Sequence, residues 1–385
     1  MNIILDDNGH HYKLAPLTLT RPVAALRIGI ETIAESWERL LKQHIEIKSV
    51  EYRTEDYLNA KFPEETHLGL IIAGNIKPTP AVAKLVAELP QGDELFINGK
   101  WVADHGIAAR HKVETTLPEE EFIYIENPWD LFQQNHNAIL HDFNLITSGR
   151  TTQHLSSSNQ VIGSHPIFLE EGAKVECCIL NAESGPIYIG KDAEIMEGSI
   201  IRGPFVLCEH STIKMGAKMY GDTTIGPYCK VGGEVTNSIF QAYSNKGHDG
   251  FVGNSVIGEW CNLGADTNTS NLKNNYSNVR VYSYETRTMI ETDVMFCGVI
   301  MGDHAKTGIN TMLNTATSVG ICANIFGGGF PSKYVAPFTW GGVLSNDKFE
   351  LDKCYEVAEN MMKRRGITLT EDDKFILKYL HDELA

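Results

Sequence analysis

The sequence predicts an α/β domain followed by a left-handed parallel β-helix and C-terminal helices, and three observations carry that prediction. Residues 1–146 alternate short apolar runs with amphipathic stretches, the pattern of strands interleaved with helices. From Val161 to Ile325 aliphatic residues return every sixth position, and Ile189, Ile195, Ile201, Leu207, Ile213, Met219, Ile225 and Val231 form a set of eight without a miss. With roughly a quarter of positions aliphatic, such a set arises by chance about once in 10⁵ per starting point. From Ser345 onward the spacing of apolar residues is again helical. The expected divisions are therefore 1–146, 147–344 and 345–385.

In the first region "NIIL", "IEIKSV", "LGLIIAG" and "EFIYI" read as strands, and "AALRIGIETIAESWERLLKQ" and "TPAVAKLVAELP" read as helices. Thr79 is placed to cap the second helix, with Pro80 in its first turn. "NPWDLFQQNHNAILHDFNLI" predicts a third helix that starts at Asn127 and Pro128 and closes the domain.

In the second region a step of six matches neither the helical period near 3.6 nor a heptad. It fits a hexapeptide β-helix, in which each short strand turns one aliphatic side chain into a triangular prism. Gly, Pro, Asp and Asn follow the inward residues in "IGKDAE", "IRGPFV", "IGPYCK" and "IGEWCN", as the corners require. A β-sandwich would instead turn every 8 to 12 residues. A shifted run reads Met295, Met301, Thr307, Leu313, Val319 and Ile325, and Phe251, Ile257 and Leu263 bridge the two sets. "NKGHDG", Asn245 to Gly250, interrupts the period and is expected to present His248 on a loop. In the last region Gly366 separates two helices, and "TEDD" supplies a cap and an acidic first turn for the second. This segment is expected to be a helical cap able to pack across subunits.

The formal net charge of -16 over 385 residues argues against nucleic acid or an anionic membrane as partner, because both require a basic face. Eight cysteines without a CxxC spacing, and no secretory signal, predict reduced thiols in a cytoplasmic protein. No run of apolar residues is long enough to span a bilayer, and a small-molecule substrate is the expected partner.

The stretch "NKGHDGFVGNSVIGEWCNLGADTNTSNLKNN" resembles the acetyltransferase half of the bifunctional enzymes that make UDP-N-acetylglucosamine, and the prism of archaeal sugar-1-phosphate nucleotidyltransferases. The residues that carry the resemblance are Gly247-His248, Phe251, Ile257-Gly258, Asn262-Leu263-Gly264-Ala265-Asp266-Thr267 and Asn271. The resemblance implies that His248 is the general base toward a sugar amine attacking acetyl-CoA, and that Asn262 and Asn271 orient the substrate or the forming tetrahedral intermediate. Asn262 is equally suited to capping a corner. Lys246, Lys273 and Lys230 are candidates for an anionic sugar phosphate, with Phe251 beside them. Phe251 stands where the family has tyrosine, Asp266 where it has glycine, and Lys230 alone where it has an arginine-rich stretch. The resemblance also implies a homotrimer.

"KLAPLTLTRP", Lys13 to Pro22, resembles the opening signature of sugar nucleotidyltransferases, in which backbone amides, Arg and Lys hold a nucleoside triphosphate. Here the Gly-Thr-Arg portion reads His11-Tyr12-Lys13 and the later Lys is Val23. Lys13, Arg21 and Arg27 are the candidate phosphate contacts. "LIIAGNIKP" carries Gly74-Asn75 where the family has Gly-Asp for Mg²⁺, so no metal ligand is assigned. "NPWDLFQQN" is similar to the segment joining the two halves of the archaeal proteins, and the whole chain looks like a bacterial family classed as sugar nucleotidyltransferases. Three activities follow from the resemblance: acyl transfer from acetyl-CoA by the prism, nucleotidyl transfer with an NTP and Mg²⁺ by the first domain, or non-catalytic binding of a sugar nucleotide.

Overall fold

The computed structural model describes residues 1–66, 68–106 and 111–384. The first domain contains, in chain order, β1 (Asn2–Asp6), α1 (Ile33–Leu41), β2 (Ser49–Arg53), β3 (Leu70–Ala73), β4 (Ile76–Lys77), α2 (Pro80–Ala87), β5 (Asp93–Ile97), β6 (Lys100–His105), β7 (His111–Thr115), β8 (Ile123–Tyr124) and α3 (Asp130–Thr147). Its main sheet has the order β2-β1-β3-β6-β5-β7, and β4 pairs separately with β8. β1 runs parallel to both β2 and β3, and Ile3, Ile4 and Leu5 are all buried, so both faces of the strand are covered and it reads as an unbroken apolar run.

Three local features depart from the sequence expectations. The helix expected over 24–43 begins only at Ile33, where Thr32 and Glu35 form a reciprocal capping box. Upstream, Gly29 has φ +72° and lies so close to α3 that a Cβ would stand 2.4 Å from Asp142 Oδ2, so the chain bends there. The strand read at "IEIKSV" starts later, at Ser49. The β5–β6 hairpin was not anticipated, although Asn98 and Gly99 have φ of 51° and 76° and Asn-Gly between apolar runs is a hairpin signal. Across this domain Lys77 Nζ donates to Asp142 Oδ2 at 2.8 Å, a fully buried pair that joins β4 to α3.

The second region is the expected parallel β-helix. A nine-stranded face runs from Ile167–Leu169 to Tyr334–Val335, a ten-stranded face from Lys174–Val175 to Asn346–Lys348, and a six-stranded face from Gln160–Gly163 to Phe251–Gly253. All eight residues of the first six-step run are at most 1% exposed. They fill the axis of the prism, which gives the chain its second core. Met301, Leu313, Val319 and Ile325 extend that core, with Thr307 among them. Met295 lies outside it and is 37% exposed. Phe251 is also not inward; its neighbour Val252 is.

The mismatch arises because corners after Val231 are shortened. The inward residues become Val235, Phe240, Lys246, Val252, Ile257 and Leu263, so a fixed step of six falls out of phase. Lys246 and Val252 are themselves six apart. "NKGHDG" is therefore an ordinary prism corner, not the excursion expected from the sequence. The true excursion spans 270–298; it carries the hairpin Arg280–Ser283/Thr288–Glu291 and packs Val279, Val281 and Val294 into the core of the first domain.

One edge of the prism carries His210, Tyr228, Tyr243, Trp260 and His304, each left-handed with φ between 54° and 59°. Their rings stack in succession at centroid separations of 4.7, 5.1, 4.1 and 6.3 Å. The terminal helices α4 (Leu351–Lys363) and α5 (Glu371–Leu384) pack on their own chain, against Tyr57 and Leu58 of the first domain and Trp260 and Phe338 of the prism. Thr370 Oγ1 accepts from Asp373 N, the cap that "TEDD" predicts.

Candidate functional site

In a β-helix the residues at equivalent positions of successive coils stack at the inter-strand spacing of about 4.8 Å. On the ten-stranded face the outward column reads Lys230, Asn245, Asn262 and Lys306, and the inward column behind it reads Val231, Lys246, Leu263 and Thr307. One residue further along, the register places Lys214, Gly232, Gly247, Gly264 and Gly308 in line. This row of glycines removes side chains from the edge of the face. At Gly247 a Cβ would meet nothing within 4 Å.

His248 follows at the corner and is exposed. It opens into a cleft of about 370 Å³ with Lys214, Lys230, Asn245, Asn262 and Ile309 among its walls and no carboxylate. The imidazole of His248 and the amide of Asn262 form no hydrogen bonds within the described residues, so both are available to a ligand. The corner-capping alternative falls instead to Asn268, whose Oδ1 accepts from Phe251 N at 2.8 Å while its Nδ2 donates to Asp266 O at 2.9 Å.

Lys246 has a different place from the one its charge suggests. It is 1% exposed, an ammonium-bearing chain in an aliphatic column. Its Nζ donates to Gly232 O at 3.1 Å and to His248 O at 2.8 Å. Burial pushes that ammonium down to about 8, against a smaller upward pull from Asp249 and Asp266. The residue thus braces the His248 corner from inside the prism and does not line the cleft.

The remaining sequence candidates divide by position. Lys230 lies in the outward column at the cleft; desolvation, and then Arg365, Lys214 and Arg364, lower its pKa. Asn271 donates through Nδ2 to Asn254 Oδ1 at 2.7 Å, and the half-buried Phe251 is on the same neighbouring face. Lys273 is held within the excursion by Ser277 Oγ at 3.3 Å and by Asn278 O. The structure therefore gathers His248, Asn262 and Lys230, and leaves Asn271, Phe251 and Lys273 outside that cleft. Sequence reasoning missed Lys214 and Asn245, which the strand register brings in. It also missed Arg364 and Arg365, which only tertiary packing brings near.

In the first domain the expected phosphate contacts are engaged elsewhere. Arg21 is buried, with Nη1 donating to Glu259 Oε1 at 2.5 Å and Nη2 to Asp303 Oδ2. Thr20 Oγ1 donates to the same Asp303 oxygen at 2.5 Å. Arg27 is buried too; its guanidinium donates to Ile30 O and stands 3.6 Å from Glu35, and the downward pull of desolvation is outweighed by Cys208, then Glu35, Glu209 and Glu259. Gln241 accepts from Arg27 N at 2.6 Å and returns a donor to Arg27 O at 3.0 Å, which sews this segment to the prism. Lys13 remains partly exposed, 3.6 Å from Glu126.

Asn75 is buried and donates to Ile125 O at 2.9 Å. Among the described residues no three His, Cys, Asp or Glu side chains gather as a cation site. Arg21, Arg27 and Asn75 are thus engaged by partners within the chain.

Residues 3–151 match the family model described as sugar nucleotidyl transferase. The chain is also similar, over part of its length, to curated proteins. A bifunctional sugar-1-phosphate nucleotidylyltransferase/acetyltransferase of Sulfurisphaera tokodaii is 28% identical over 224 residues, 58% of this chain and 49% of the relative. The bifunctional protein GlmU of Methanocaldococcus jannaschii is 30% identical over 196 residues, 51% of this chain and 41% of the relative. GlmU of a Synechococcus species is 31% identical over 170 residues, 40% of this chain and 33% of the relative. The chain thus spans about half or less of the length of these relatives. Within the described residues no helix is long and apolar enough to cross a membrane.

Proposed function

We propose that this protein is a transferase of sugar-phosphate or nucleotide-sugar metabolism whose prism moves the acetyl group of acetyl-CoA, an acyl transfer, to an amino sugar phosphate. The observation that carries this reading is the pairing of an exposed, unengaged His248 with the unengaged amide of Asn262 in one cleft lined by lysines and no carboxylate. An imidazole accepts a proton near neutral pH, so His248 would take one from the acceptor amine as it attacks. Asn262 would donate through its amide to the oxygen on which negative charge develops. Gly247, where a Cβ would meet nothing within 4 Å, leaves room for the thioester arm, and acetyl-CoA would supply the acetyl group. Ile309, 73% exposed at the cleft, and Met215, 71% exposed, support a homotrimer that covers this face.

The reading predicts that His248→Ala lowers CoA release by about 10²-fold or more, in assays with acetyl-CoA and amino sugar phosphates, while the thermal midpoint stays unchanged. Turnover equal to that of the wild type would exclude His248 as the base.

A second reading, nucleotidyl transfer by the first domain, is favoured by the family match over residues 3–151. The buried ion pairs of Arg21 and the engaged amide of Asn75 favour a docking role for that domain instead. Pyrophosphate release from sugar 1-phosphates with UTP or dTTP and Mg²⁺ would establish the second reading.

A further inference from the structure

The cleft beside His248 continues past Asn262. Lys230, Asn245 and Asn262 are shared with an adjoining hollow of about 300 Å³ whose other walls are Met361, Arg364 and Arg365. The arginines come from the end of α4, on the far side of the sequence from the prism coils they face. Arg365 Nη2 donates to Asn245 Oδ1 at 3.2 Å, which fixes that guanidinium over the outward column; Arg364 is exposed.

Four cations therefore border one continuous groove: Lys214 and Lys230 from successive coils, Arg364 and Arg365 from the helix. None of them has a carboxylate within 4.0 Å among the described residues, and neither hollow is lined by Asp or Glu. In a chain of net charge -16 this local excess is unusual. Cations at a helix C-terminus complement its dipole, which would account for the two arginines. It leaves unexplained why they converge on two lysines of the prism. Like charges brought together raise the free energy unless an anion lies among them. Consistently, Arg365, Lys214 and Arg364 each help to depress the Lys230 pKa.

We propose that Lys214, Lys230, Arg364 and Arg365 form a phosphate subsite that anchors a phosphorylated ligand whose reacting end lies at His248. Charge recognition then falls at the α4 end of the groove and proton transfer at the corner. Arginine forks suit phosphate oxygens through paired hydrogen bonds, and the lysines add point charges. The phosphate belongs either to the acceptor sugar or to coenzyme A. The assignment of the reacting end rests on the acyl-transfer reading; the anion subsite itself does not.

The test is calorimetric titration of the full chain and of an Arg364→Gln/Arg365→Gln variant, with inorganic pyrophosphate as the first probe. The variant should bind pyrophosphate at least tenfold more weakly, with the wild-type thermal midpoint retained. Should the double variant fail to fold, Lys230→Gln, on an exposed prism position, carries the same expectation. Glucosamine 1-phosphate against glucosamine, and CoA against dephospho-CoA, then separate the sources: whichever phosphorylated probe loses affinity identifies the anchored ligand. Wild type that binds none of these probes, or variants that bind all of them as tightly as wild type, would overturn the subsite. Pyrophosphate binding that is lost in the variant, in a chain without acyl transfer, would keep the subsite and remove the acyl-transfer reading. Acyl transfer with an unchanged KM for both substrates in the variant would do the reverse.

Discussion

Lys246 stands in register between Val231 and Leu263, facing an axis that is filled mostly by aliphatic side chains. Its four-carbon stem satisfies that column, and its ammonium returns to the wall of the prism, where Gly232 O and His248 O accept it. The bond to His248 O fixes the backbone of the candidate base, so Lys246 is a positioning residue. Lys246→Met should keep the packing volume. It removes a depressed buried ammonium but leaves two carbonyls without a donor, and these effects oppose each other. The expected outcome is a thermal midpoint within a few degrees of wild type and a kcat lowered about tenfold, with the KM for acetyl-CoA little changed. A variant as active as the parent would show that the corner holds itself. His248 stands out as a candidate in the sequence because the Gly-His pattern is local. The role of Lys246 does not, because a lysine between polar residues reads as a solvated charge until the register shows that it points inward.

At the scale of the elements, the aromatic edge has a titration whose sign follows from burial. His304 closes the stack against Trp260; it is 8% exposed, and its Nδ1 has no hydrogen-bond partner. Burial first, and then Lys306, push the imidazole down to about 3, while Glu259 and Asp373 pull it up and Lys61 lowers it further. In the unfolded chain a histidine titrates near 6.5. The unfolded state therefore binds a proton that the folded state refuses. Stability from this group is intact above about pH 6.5 and is lost as pH falls from there toward about 3, at a limiting rate of about 1.4 kcal/mol per pH unit. Urea midpoints from pH 7.5 to 4.5 should fall more steeply for wild type than for His304→Phe, which retains a ring for the stack; parallel curves would mean that His304 takes up a proton in the folded state as readily as in the unfolded one. The sequence showed the six-residue run before the shortened corners but not the phase after them, since one fixed step cannot follow corners of varying length. The β5–β6 hairpin carries a local signal in Asn98-Gly99, between short apolar stretches.

At the scale of the whole molecule, the first domain and the prism are joined by side chains far apart in sequence, and for that reason their docking left no local pattern to read. The three regions were visible from composition and period alone. That Arg21 would meet Glu259 and Asp303 was not, because an arginine next to proline in a phosphate-binding signature has an obvious local reading. The two readings of Arg21 differ in what removal of the guanidinium does to the ligand-free protein. If it serves docking, Arg21→Ala leaves the buried Asp303 carboxylate beside Glu259 with only Thr20 and Glu259 N as donors, and unfolding should become easier by about 3–5 kcal/mol. If it is held for a nucleotide, the ligand-free variant should match wild type within about 0.5 kcal/mol and lose only nucleotide binding. Urea denaturation without ligand, followed by titration with UTP, separates these outcomes. The geometry predicts the first: a large loss of stability in the absence of any nucleotide, because the charge on Arg21 is already balanced from within the chain.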